Sequence, residues 1–132
     1  AALNRLFVEP ALGLGYPVAD LPALRWLERY VRPGDEQRLA FDFDFWGVQN
    51  YTREVVRHSY LVPLVWANLV GAARRAVPYT QMGWEVYPES LYHMLRQFGA
   101  YARAPRLLVT ENGAAFPDEL TPDGRVRDAA RQ

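Results

Sequence analysis

The sequence has no cysteine, no lysine and no isoleucine. Without cysteine it has neither disulfides nor thiolate metal sites, which favours a reducing compartment and hence the cytoplasm. All 15 basic side chains are Arg, balanced by 15 acidic ones to a net charge of zero. That balance argues against nucleic-acid or membrane-surface binding driven by bulk charge. The replacement of Lys and Ile by Arg, Val and Leu reads as the coding bias of a GC-rich bacterial genome. No apolar run approaches the roughly 20 residues of a membrane span. His58 and His93 are single and far apart, without metal-ligand spacing, and are expected to be structural or solvent-facing. Nothing in the sequence calls for a metal or an organic cofactor. The visible N-terminus lacks the form of a secretion signal, and localisation is otherwise open.

What is present is an alternation of helical and extended patterns without a dividing linker. Asn4 to Tyr16 reads as loop, punctuated by Pro10, Gly13 and Gly15. Asp20 to Arg32 reads as a helix with Asp20 as N-cap and Pro22 in the first turn. Its apolar face is Leu24, Leu27 and Val31, with Trp26 expected in the core. Phe41 to Phe45 alternates apolar and acidic residues and leads into a strand from Phe45 to about Asn50. Gly47 inside that strand permits a close approach by a neighbour. Gln49 and Tyr51 are two apart and share a face; Asn50 points away. Thr52 to Gln81 is a long connection, apolar from Leu61 to Val70, where a short helix or hairpin packing on neighbouring loops is expected. Pro88 to about Arg103 is a helix with Leu91, Met94, Leu95 and Phe98 as its docking stripe. Leu107 to Val109 then has the composition of a buried strand, with Glu111 at its C-terminal end and Asn112-Gly113 turning the chain.

Three stretches carry the chemical signal: Asp44-Phe45-Trp46-Gly47-Val48-Gln49-Asn50-Tyr51-Thr52, Met82-Gly83-Trp84-Glu85-Val86-Tyr87-Pro88-Glu89-Ser90-Leu91, and Leu107-Leu108-Val109-Thr110-Glu111-Asn112-Gly113. In this order and at these separations they resemble the family 1 glycoside hydrolases, the β-glucosidase family, and the resemblance runs from about Asn4 to Asp128. It implies an α/β fold of the (β/α)8 barrel type. Such a barrel needs about 250 residues or more, so residues 1–132 are expected to be an incomplete piece of one barrel domain, about its strands 6 and 7 with flanking helices. The start at Ala1 and the stop at Gln132 agree with a truncated segment.

The resemblance implies a retaining β-glycosidase that acts on β-glucosides or related carbohydrates. Such enzymes use two carboxyl groups about 5–5.5 Å apart, one as nucleophile and one as acid/base. Glu111 matches the family's nucleophile. Tyr51 matches the phenol that bonds it, an arrangement that orients a carboxylate and favours its charged form. Gln49 stands where the family has a sugar-contacting Asn, and Trp84 matches an aglycone-side platform. Residue by residue, Gln49 and Tyr51 also fit plain buried hydrogen bonding, and Trp84 a core position at a helix start. Glu85 is a poor choice as the acid, because no acid role attaches to it in the family's run. The family's Thr-x-Asn-Glu-Pro acid/base motif is absent, as are the sugar-gripping Gln and His-Trp of earlier strands. This segment alone is therefore expected to be inactive and aggregation-prone, with the missing strands supplied by the parent chain or by a complementing chain. A non-catalytic carbohydrate-binding module is the alternative reading.

Overall fold

The computed structural model describes residues 2–63 and 66–131. The chain divides into two units, Ala1–Trp46 with Tyr101–Arg106, and Gly47–Ala100 with Leu107–Gln132.

The first unit opens with helix α1 (Ala2–Ala11), where the sequence reads as loop. The residues that look like breakers form its C-cap. Gly13, at φ +73°, donates to the Pro10 carbonyl, and Leu14 donates to the Glu9 carbonyl at 2.9 Å. This is the two-bond helix ending that a left-handed glycine completes. Pro10 lies inside the helix, in its last turn, and cannot donate the i→i−4 bond that another residue there would make. A Cβ at Gly13 would stand 3.1 Å from Arg103 Nη1 and 3.3 Å from Ala40 Cβ, so space as well as φ requires glycine. Glu9 is buried and takes Arg5 one turn earlier and the Tyr101 hydroxyl from the distant segment. The next helix is a 3₁₀ helix, Pro22–Arg29, with Pro22 at its start as expected. Asp20 does not cap it; Arg5 takes that carboxylate at 2.6 Å, and Leu21 occupies the cap. Trp26 is not core. It is 56% exposed, with the Arg29 guanidinium 4.1 Å from its ring centroid, because residues three apart line up in a 3₁₀ helix: Trp26 shares a row with Arg29, while the half-buried Leu24 and Leu27 share another. Helix α2 (Asp35–Leu39) follows the Pro33-Gly34 break.

Strand β1 (Phe45–Asn50) leads into the second unit. Hairpin strands β2 (Val56–His58) and β3 (Ala67–Leu69) pair antiparallel, Arg57 opposite Asn68. This is the hairpin expected in the long connection, but it is not packed down: Leu61 is 90% exposed, and Val56 and Leu69 are exposed too. Leu64 and Val65 lie outside the described residues. Helix α3 (Glu89–Gly99) follows, shorter than expected because the chain turns at Ala100. Its stripe residues Leu91, Met94, Leu95 and Phe98 are half-buried, while Tyr92, His93, Arg96 and Gln97 face solvent.

Strand β4 (Arg106–Asn112) pairs with β1 in a two-stranded sheet, separate from the hairpin. Contacts advance together along both strands. Thr110 Oγ1 meets the Val48 carbonyl and Asn112 Nδ2 donates to the Asn50 carbonyl, so β1 and β4 run in the same direction. Gly47 allows the approach: a Cβ there would lie 3.2 Å from Thr110 Cγ2. Val48 is buried, but Leu108 and Val109 are exposed, where a buried strand is expected. The reason is coverage. A parallel strand is buried when helices cover one face and other strands or helices the opposite face, and β4 has only β1 beside it among the described residues. Among the described residues the result is an α/β arrangement with no closed barrel.

Candidate functional site

The site grows from the C-terminal ends of β1 and β4. Strand alternation puts Gln49 and Tyr51 on one face of β1 and Asn50 on the other. Asn50 is held from behind: the buried Ser90 hydroxyl, in the first turn of α3, donates to Asn50 Oδ1 at 2.7 Å. With Asn50 anchored, Gln49 and Tyr51 both reach across to β4. Gln49 Nε2 donates to Glu111 Oε1 at 2.8 Å, and the Tyr51 hydroxyl donates to Glu111 Oε2. One carboxylate is thus gripped on both oxygens by side chains 62 and 60 residues away. The hydrogen bond to Glu111 is the main cause that raises the Tyr51 pKa above the ordinary phenol value, and desolvation adds to it. Asn112 turns its amide to the Asn50 carbonyl at 2.6 Å, and Thr110 reaches the Val48 carbonyl, so both neighbours of Glu111 are tied to β1.

Trp84 reaches the same place from another segment. Its ring centroid lies 5.5 Å from that of Tyr51, the planes tilted by 46°, and the residue is half-buried. The four residues singled out in the sequence therefore meet: Glu111, its two donors, and an aromatic face against one of them. Beside them is a cavity of about 350 Å³, with Tyr51, Thr80, Glu85, Tyr87, Asn112 and Phe116 among its walls.

Sequence reasoning missed the cation pair around Glu85. This carboxylate is only 5% exposed. Arg53 holds it through two hydrogen bonds of 2.8 and 2.9 Å, and Arg75 through two more of 3.1 and 2.7 Å. The Arg53 guanidinium also stacks 3.6 Å from the Tyr87 ring centroid. The bonds from Arg53, then those from Arg75, lower the Glu85 pKa to about 2 against the penalty of burial. A carboxylate held ionised by two guanidinium groups has no proton to donate near neutrality, which makes Glu85 a poor choice as a general acid. The available signal was Arg53, two residues after Tyr51, but nothing local says which carboxylate it meets. Among the described residues no group of three or more His, Asp or Glu side chains is placed to hold a metal ion.

With this geometry in view, the chain was compared with known proteins. The profile of Glycosyl hydrolase family 1 matches residues 2–132. Beta-glucosidase A of Thermotoga maritima is 32% identical over 126 residues, which are 96% of this chain and 27% of that protein. The structure of the Thermotoga maritima β-glucosidase in complex with castanospermine superposes with a TM-score of 0.77 at 32% identity, over 97% of this chain and 28% of that one. The AHE enzyme from Alicyclobacillus herbarius gives a TM-score of 0.79 at 37% identity, with the same shares covered. The chain thus spans little more than a quarter of the length of these relatives. Sequence and fold agree over almost all of that quarter, and the chain belongs to glycosyl hydrolase family 1.

Proposed function

We propose that this chain is the nucleophile-bearing part of a retaining β-glycosidase, acting on β-glucosides, and that residues 1–132 are an incomplete piece of one (β/α)8 barrel domain. On this reading β1 and β4 are barrel strands 6 and 7. The observation that carries it is the double grip on Glu111, a strand-end carboxylate bonded on both oxygens by Gln49 and Tyr51. A nucleophile must be held still and aimed, and two directional donors do that. The β-glucosidase relatives, one of them seen in complex with castanospermine, support the substrate class.

In the proposed reaction a Glu111 oxygen attacks the anomeric carbon as the bond to the leaving oxygen breaks. The leaving oxygen takes its proton from an acid/base carboxyl group supplied by barrel strands outside this chain. Water then attacks the same carbon, gives its proton back to that group, and frees Glu111 with retention of configuration. Gln49 is placed to contact the sugar when the carboxylate engages the anomeric carbon. Trp84 offers its face to the aglycone. The chain by itself lacks the acid/base and is inactive.

The test is to trap the intermediate in the full-length polypeptide with a 2-deoxy-2-fluoroglucoside bearing a good leaving group. A mass increment of one fluoroglucosyl unit on the peptide containing Glu111 is expected. An unlabelled protein that still hydrolyses β-glucosides would sink the assignment. Glucoside binding by the isolated chain that survives Glu111→Gln would point to the carbohydrate-binding module instead.

A further inference from the structure

Glu85 and its two arginines bind together the segments that aim the site. Three successive residues of the chain leaving β1 each touch the segment carrying Trp84. The Tyr51 ring lies against the Trp84 ring, Thr52 Oγ1 donates to the Glu85 carbonyl at 3.0 Å, and Arg53 forks onto the Glu85 carboxylate. On the other side Arg75, which also bonds the Val70 carbonyl at 3.2 Å, ties in the end of the long connection. The backbone of the Trp84 segment is closed locally as well. Thr80, 2% exposed, donates its N–H to the Trp84 carbonyl at 2.7 Å and accepts the Trp84 N–H on its hydroxyl. The junction between residues 51–53 and 84–85 is thus held by the Tyr51–Trp84 ring contact, the Thr52 hydrogen bond and the Arg53–Glu85 ion pair.

We propose that Glu85 is a positioning residue: by clasping Arg53 and Arg75 it sets the Tyr51 phenol onto Glu111 and the Trp84 ring beside it. The inference rests on the proposed role of Glu111. Glu85 itself touches neither Glu111 nor any reacting atom. A guanidinium fork suits this work because two parallel N–H bonds fix orientation as well as distance, which an ammonium does not. Only the carboxylate end of the clasp is buried: the Glu85 side chain is 4% exposed, against 19% for Arg75 and 41% for Arg53.

The experiment is a double-mutant cycle in the full-length polypeptide, with kcat and KM for an aryl β-glucoside measured for Glu85→Gln, Tyr51→Phe and the pair. If Glu85 acts through Tyr51, Glu85→Gln lowers kcat by about 10–10²-fold, and the double variant loses clearly less than the product of the two single effects. Effects that multiply would overturn the proposal. Should Glu85→Gln not fold by circular dichroism, Arg53→Lys takes its place in the same cycle, since it keeps the charge and loses the fork. A second readout needs no activity. The Tyr51 phenol, followed by ring-carbon NMR, should titrate above the ordinary phenol value in the native protein and return toward it in Glu85→Gln or Arg53→Lys. An unchanged Tyr51 titration overturns the proposal. A native protein without glycosidase activity would instead count against the functional reading, while this titration still decides the clasp.

Discussion

Tyr51 and Glu111 form the smallest functional unit here, and each constrains the other. The phenol keeps its proton above its usual range because it donates a hydrogen bond to the Glu111 carboxylate. If the carboxylate is the nucleophile, Tyr51→Phe leaves it held by Gln49 alone, and kcat should fall about 10²-fold with a smaller change in KM. Steady-state kinetics on an aryl β-glucoside would check this, and an unchanged kcat would contradict it. Glu111→Gln should remove turnover by a larger factor. Glu85 predicts a different pH dependence. Its folded-state pKa is depressed to about 2 from an ordinary 4.5, so its stabilising effect is full above about 4.5 and is lost as pH falls toward 2. The difference in Tm between the native protein and Glu85→Gln should therefore be largest near neutrality and shrink through that acid window. A difference that stays constant from pH 7 to pH 2 would show that the ion pairs are not its source.

Among the elements, the β1–β4 pair depends on Gly47. A methyl group there would stand 3.2 Å from Thr110 Cγ2 and 3.3 Å from Thr110 Oγ1, within one parallel pair that also delivers Gln49, Tyr51 and Glu111. Gly47→Ala should cost about 1–3 kcal/mol through overpacking, measured by denaturant unfolding. Because the clash is with one side chain, Gly47→Ala combined with Thr110→Ser, which deletes Cγ2, should recover part of the loss. Additive losses would place the strain elsewhere. Activity should fall further than stability, since small displacements at the strand ends shift both donors on Glu111.

For the whole chain the governing fact is how little is covered. Among the described residues the buried apolar side chains are Leu12, Val48 and Ala72, whereas Phe45, Leu108 and Val109 are each more than 40% exposed. The β1–β4 sheet also has an unpaired edge on each side, an invitation to pair with another chain. The isolated 132-residue chain should therefore self-associate and bind a hydrophobic dye such as ANS. Adding a polypeptide with the remaining barrel strands should suppress both and bring glucosidase activity. A monomer that binds no dye and unfolds cooperatively would refute this expectation.

Local pattern was enough for much of this. The strand at Phe45–Asn50, the α3 stripe and the shared face of Gln49 and Tyr51 follow from periods of two or 3.6 residues, which backbone geometry imposes on the side chains, and the strand into Glu111 from a short apolar run. The three motifs also carried the family resemblance. Other features were decided only by tertiary structure. Pro10 and Gly13 read equally well as loop or as helix end, and α1 forms because Glu9, Arg5 and Tyr101 anchor it. Trp26 looked apolar-facing until its helix proved to be 3₁₀. The partners of Glu85 lie 32 and 10 residues away, and no local rule selects them. Periodicity states which way a side chain points; which charge it meets depends on how distant segments are brought together, and that is settled only when the whole chain packs.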